Sequence, residues 1–247
     1  MGTPVIVEIR DAEASQELFD EVFAYFRYVD EKFSTYKDTS EITALNAKKI
    51  ALSDMSDDMK TVFALSEETK RLTDGYFDIR TPNGSYDPSG LVKGWSIENA
   101  SKILKNQGVK NFFVEAGGDI QVSGTNGKQQ PWTIGIQNPF NTKREVVKKV
   151  YLHDNGIATS GNYVRPGHIY NPKDPHDQLH EIVSITVIGP NVFEADRYAT
   201  AAFAMGPHGI YFIEKLPGFE GYSINKNGIA TMTKGFEAFT KLSPQNN

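Results

Sequence analysis

Residues 111–122, NFFVEAGGDIQV, read as two short strands broken by Gly117-Gly118. A glycine pair between strands permits close approach of backbone to a ligand, or simply a bulge. Upstream, residues 94–106 carry Trp95, Ile97, Ala100, Ile103 and Leu104 in helical register. Residues 4–10 (PVIVEIR) alternate as a half-buried strand. Residues 14–32 place Leu18, Phe19, Val22, Phe23, Tyr25, Phe26 and Val29 at helical spacing, so their aromatics belong to a core. A further helix is expected over residues 57–73, closed by Gly75 at the left-handed position after a helix. Downstream, residues 132–137, 146–152 and 181–188 read as antiparallel strands and residues 195–204 as a helix. Residues 212–232 offer one more helix or loop and a strand pair.

Strands and helices mix without a regular βαβ beat. That favours an α+β fold of mainly antiparallel sheets with packed helices. No repeat and no Gly/Ser-rich linker divides the 247 residues, so residues 1–247 are expected to form one unit. With 39% hydrophobic and 23% charged residues the composition is that of a globular protein. The charges are interspersed around a net −5 and form no basic stripe, which argues against nucleic acid as a partner. No apolar run is long enough to span a bilayer. Cysteine is absent, so any metal must rest on oxygen or imidazole. Met1-Gly2-Thr3 runs straight into a strand-like stretch without a visible leader. The expected location is therefore the cytoplasm, unless a leader has been removed.

Five segments hold small or polar residues where a packed element would want apolar ones. The stretch Phe33-Ser34-Thr35-Tyr36, with Ser40-Glu41-Ile42 after it, is by itself compatible with a helix end capped at Thr39 or Ser40. Gly75-Tyr76-Phe77-Asp78 and residues 87–95 (DPSGLVKGW) put Gly90, Lys93 and Gly94 at a helix start, where free N–H groups suit phosphate. The glycine spacing matches neither the phosphate-loop nor the dinucleotide fingerprint, and a plain turn before a helix reads equally well. Asp119, beyond the glycine pair, is placed to hold a ribose hydroxyl. Residues 158–163 (ATSGNY) have little to pack and much to donate, and His168 follows in GHIYNP. Its pKa range suits a general base, although a lone histidine is by default a structural hydrogen-bonder. Asp196 and Thr200 stand four apart, so on a helix their oxygens face one way. A carboxylate and a hydroxyl suit Mg2+, but they also suit an N-cap and a back-bonded threonine.

Taken together and in this order, the segments resemble the FAD:protein FMN transferases, the ApbE family. The resemblance runs from Met1 to about Gly206 through FSTY, GYFD, DPSGLVKGW, EAGGDI, PWTIGIQNP, IATSGNY, GHIYNP and ADRYATAAFAMG. It implies FAD as substrate, with Mg2+ at the pyrophosphate. It further implies that Met1, Tyr36, Tyr76, Phe77, Asp78, Ser89 and Trp95 line the flavin and adenosine pocket. Asp119, Thr159, Ser160 and Ile169 are further candidates. The family's metal set falls on Asp196, Thr200 and the backbone carbonyl of Val92, with Lys93 close to the phosphates and His168 as base. The implied partner is a redox protein carrying a flavinylated threonine or serine.

Two features depart from the common pattern. The chain is short between Phe77 and Asp87, which resembles a compact branch of the family. In addition, Asn171 stands where the HIxDP motif has its acid. Hydrolysis of FAD to FMN and AMP needs the same site and is the nearest alternative. A non-catalytic FAD-binding protein would need neither His168 nor the Asp196–Thr200 pair.

Overall fold

The computed structural model describes residues 3–11, 14–141, 145–162, 169–174, 176, 179 and 181–242. Strand β1 (Val5–Ile9) leads into helices α1 (Gln16–Phe33), α2 (Glu41–Asn46), α3 (Asp57–Leu72) and α4 (Ser89–Asn106). Strands β2 (Phe112–Ala116), β3 (Asp119–Ser123), β4 (Trp132–Gln137), β5 (Val146–Leu152), β6 (Gly156–Gly161) and β7 (Ile182–Gly189) follow. Helices α5 (Val192–Ala204) and α6 (Gly209–Ile213) and strands β8 (Glu220–Asn225) and β9 (Ala230–Met232) complete the order. Among the described residues no helix is long and apolar enough to cross a membrane.

Helix α1 forms where its apolar residues recur every three or four positions. Leu18, Val22, Phe26, Val29 and Phe33 are all buried. Full burial of such side chains contributes about 1.5–3 kcal/mol each. The Ser15 hydroxyl, which accepts from the Leu18 amide at 3.4 Å, adds about 1 kcal/mol as a cap. Packing therefore decides this element. As the sequence suggests, Gly75 closes the next long helix: its φ is +77° and its N–H donates to the Lys70 carbonyl at 2.8 Å.

Among the described residues, seven strands form one sheet in the order β1-β2-β3-β6-β7-β8-β9, antiparallel throughout, and β4 pairs with β5 separately. This is the expected α+β architecture. Ala116 pairs with Asp119, and Gly117 and Gly118 have φ of +60° and +92°. They form a two-residue hairpin turn whose twist requires positive φ at both positions. The glycine pair therefore makes a turn and not a bulge.

Side chains alternate across the sheet with period two. One face packs on helices: Phe112, Val114 and Ala116 join Leu18, Val22, Ile97 and Leu104. The other face is covered by the β4–β5 pair, where Ile120, Val122, Ile157 and Ile188 meet Trp132, Ile134, Val150 and Leu152.

The structure corrects the sequence reading in two places. Helix α4 begins at Ser89 rather than at Gly94, because the Asp87 carboxylate accepts from the Ser89 amide at 3.0 Å and Pro88 supplies a first carbonyl to Val92 at 2.9 Å. The hydroxyl-rich segment read as a polar cluster is the strand β6, in the middle of the sheet.

Candidate active site

A cleft of about 1130 Å3 opens between the start of α4 and the face of the sheet that β4 covers. Its floor includes Phe113, Ile120 and Ile157 from the sheet, with Ile134 and Ile136 from β4. Ser89, Gly90, Val92 and Lys93, in the first turn of α4, form one wall. Tyr36, Tyr76, Phe77 and Asp78 form another, and Thr159, Ser160 and Ile169 complete it.

Polar groups converge where α4, α5 and β6 meet. Gly94 makes this possible, since a Cβ there would lie 2.6 Å from the Asp196 Cβ and 2.8 Å from the Val192 carbonyl oxygen. With no side chain in the way, the Gly94 amide donates to Asp196 Oδ2 at 2.8 Å. One turn further along α5, the Thr200 hydroxyl donates to the Gly90 carbonyl at 3.1 Å and lies 3.4 Å from the Ser160 hydroxyl. Asp119 is fully buried on the helix-facing side of β3. Its Oδ1 accepts from the Thr159 amide at 3.1 Å. Its Oδ2 meets Lys93 Nζ at 2.8 Å, an ion pair lying outside hydrogen-bond angles.

Two carboxylates, Asp119 and Asp196, thus share one lysine in the interior. Burial first, and the charge of Asp119 second, push the Asp196 carboxyl well above the usual carboxylate range, while Lys93 and the Gly94 amide oppose the shift. A carboxyl raised by folding contributes stability below its unfolded pKa and loses it as pH rises through the folded value. In metal-free buffer, Asp196→Asn, which cannot ionise, should therefore gain on the wild type in melting temperature as pH rises from about 4 to about 8. Calorimetry across that range checks this, and a constant gap between the two proteins refutes it.

The surplus negative charge and the all-oxygen donor set suit a hard cation. Among the described residues no three acidic or imidazole side chains come together. A cation here would rest on a carboxylate, a hydroxyl and backbone carbonyls. The carbonyl recorded beside Thr200 is that of Gly90; the sequence reading names that of Val92, whose side chain is buried in the core.

Residues 1–83 and 80–222 match the family described as the ApbE family. The chain belongs to the ApbE family. An FAD:protein FMN transferase of Klebsiella pneumoniae (strain 342) is 30% identical over 172 residues, covering 66% of this chain and 47% of that protein. One of Haemophilus influenzae is 24% identical across 98% of this chain and 89% of its own length. The chain spans about half the length of the Klebsiella and Escherichia coli relatives it matches, 47% and 46%. The flavin transferase ApbE structure from Vibrio cholerae superposes with a TM-score of 0.83 at 24% identity, covering 97% of this chain and 96% of that one. An ApbE protein structure from Thermotoga maritima gives 0.83 at 21%.

On this ApbE-family scaffold, most of the residues picked from the sequence reach one cleft, and two sit one layer behind it. Trp95 packs edge-on against Phe33 at 5.6 Å, and it is Phe33 that lines the cleft. Asp119 lies beneath Lys93 and is not in position to meet a ribose from the cleft floor. Met1 and His168 lie outside the described residues. Arg197, inside the ADRYAT motif, serves packing: it bonds Glu194 at 2.9 Å and Thr69 at 3.2 Å. The sequence reading passed over Phe113, Ile134 and Ile136. The alternation of residues 132–137 marks the two isoleucines as inward-facing, though not as cleft-facing.

Proposed function

We propose that this chain transfers the FMN half of FAD to a threonine or serine hydroxyl of an acceptor redox protein, releasing AMP, with Mg2+ bound. The observation that carries this reading is the meeting of Lys93, Asp196 and Thr200 on the wall of a cleft that also presents Tyr36 and Tyr76. At about 1130 Å3 the cleft exceeds the volumes usual for drug-sized ligands, in keeping with a substrate as large as a dinucleotide.

The acceptor hydroxyl oxygen attacks the FMN phosphorus, the bond to the AMP oxygen breaks, and the hydroxyl proton passes to a base, a role assigned to His168. Lys93, fixed by Asp119, brings a positive charge to the departing phosphate. Asp196, Thr200 and a backbone carbonyl of the first turn of α4 would hold Mg2+, which supplies further neutralisation of the pyrophosphate. Tyr36 and Tyr76 offer faces for the two ring systems.

We also read residues 1–247 as one unit of a compact branch. The span between Phe77 and Asp87 closes as a tight hairpin, with the Asp87 amide on the Ile79 carbonyl at 2.7 Å and the Thr81 amide on that of Ser85 at 2.8 Å. The alignment with the Haemophilus protein runs to 309 positions against 247 residues here, which supports a shortened chain.

Incubation with FAD and Mg2+, with and without a co-expressed candidate acceptor, tests the activity. Mass spectrometry should find the added mass of FMN on a threonine or serine. FMN released equally without acceptor identifies a pyrophosphatase instead. FAD at a hundredfold excess over its Kd should raise the melting temperature by roughly 5–10 °C, and NAD, which lacks the flavin, by far less. Equal shifts with both ligands refute the flavin cleft.

A further inference from the structure

The segment that presents Tyr76, Phe77 and Asp78 to the cleft continues into the short hairpin. Its inner side is paired: the Ile79 carbonyl accepts from the Asp87 amide at 2.7 Å, and Arg80 bridges to Tyr86. The carbonyls of Asp78 and Arg80, which flank Ile79, both meet a single atom from another part of the chain. The Tyr170 hydroxyl lies 3.1 Å from the Asp78 carbonyl oxygen and 3.1 Å from that of Arg80. Tyr170 lies some ninety positions further along the sequence, inside the GHIYNP motif, between His168-Ile169 and Asn171, and has no assigned role.

A neighbouring contact acts on the same segment. Lys173 Nζ sits 4.7 Å from the centre of the Tyr76 ring and 2.7 Å from Asp74 Oδ2. The Tyr76 ring, which lines the cleft, thus carries an ammonium group against one face. The Asp78 side chain is held separately, by Lys70 at 2.6 Å and the Arg80 amide at 2.8 Å.

We propose that Tyr170 is a positioning residue of the flavin cleft: its hydroxyl, shared between the carbonyls of Asp78 and Arg80, fixes the segment that carries Tyr76 and Phe77. This rests on the flavin-transfer reading above. A phenol has one proton, so the two carbonyls divide it as a three-centre bond. Burial, then the charges of Asp78 and Asp87, hold the phenol up at about 12, so it remains a donor at neutral pH. The hydroxyl ties down the entry to the short hairpin and satisfies two carbonyls that a loosened segment would leave to water.

Tyr170→Phe keeps the ring and removes the donor. In ligand-free protein, hydrogen exchange at residues 76–81 should accelerate while the melting temperature stays close to that of the wild type. In the FAD titration and in turnover, Kd and KM for FAD should rise roughly three- to tenfold, the worth of one such bond, with the loss in KM and not in kcat. Unchanged exchange at 76–81 overturns the anchoring. Faster exchange with unchanged FAD affinity, or a fall in melting temperature alone, reduces Tyr170 to a structural role and overturns the proposal. If the wild type itself fails to bind FAD, the flavin reading fails, and exchange alone decides whether the hydroxyl anchors the segment.

Discussion

Asp196→Ala is expected to abolish Mg2+-dependent FMN transfer while leaving a folded protein. Asp196 is the charged member of the proposed ligand set; Thr200 and the backbone carbonyls are neutral. Without it the cation loses its electrostatic hold, and with it several kcal/mol of charge stabilisation, a factor of about 10³ or more in rate. Two opposing effects keep the fold intact. The Gly94 amide loses its acceptor, at about 1–3 kcal/mol. Against this, the cost of holding a carboxyl in the interior beside Asp119 disappears. Asp196→Asn, which can still accept from Gly94, should be equally inactive and at least as stable. Turnover of Asp196→Ala at the wild-type rate in excess Mg2+ would remove Asp196 from the metal set.

The parts of this fold that sequence made legible are those where one periodicity ran uninterrupted. The β2–β3 pair and the alternation of β4 formed as read, and so did the α1 stripe at Leu18, Val22, Phe26 and Val29, although Phe19 and Phe23, read as core, are only part-buried. Strand β6 was not legible, because its residues are small for a tertiary reason. Ala158 packs against Ala195 and Ala199 of α5, so the helix can lie close on the sheet, and nothing in GIATSG itself signals a strand. The start of α4 was misplaced for a local reason: Asp87 and Pro88 act as a cap, and their motif looked like a loop.

The site was legible to the level of segments but not of facing. Each motif brought its backbone to the cleft, yet adjacent positions on a strand or helix point apart. Asp119 and Trp95 therefore support residues that line the cleft, Lys93 and Phe33, instead of lining it themselves. Tyr170 gave no signal because its partners are two carbonyls ninety and ninety-two positions away.

The second large effect is expected at His168. A threonine hydroxyl is a poor nucleophile at neutral pH, and a base in reach is worth roughly 10²- to 10⁴-fold, or about 3–5 kcal/mol of barrier. His168 itself lies outside the described residues; Ile169, the next residue, lines the cleft. Two carboxylates of the site, one on the cleft wall and one beneath it, are already engaged. The Asp78 carboxylate is bound by Lys70 at 2.6 Å, and Asp119 by Lys93 at 2.8 Å. Each would have to abandon an ion pair to take a proton. His168→Asn should therefore lose transfer by that factor yet still bind FAD, and the wild-type rate should fall as pH drops through the histidine pKa. If His168 instead orients the flavin, the variant weakens FAD binding and the acid limb is missing. Transfer by His168→Asn at the wild-type rate in saturating FAD would end the base assignment. The same kinetics on Asp78→Asn and Asp119→Asn would then show which carboxylate leaves its lysine.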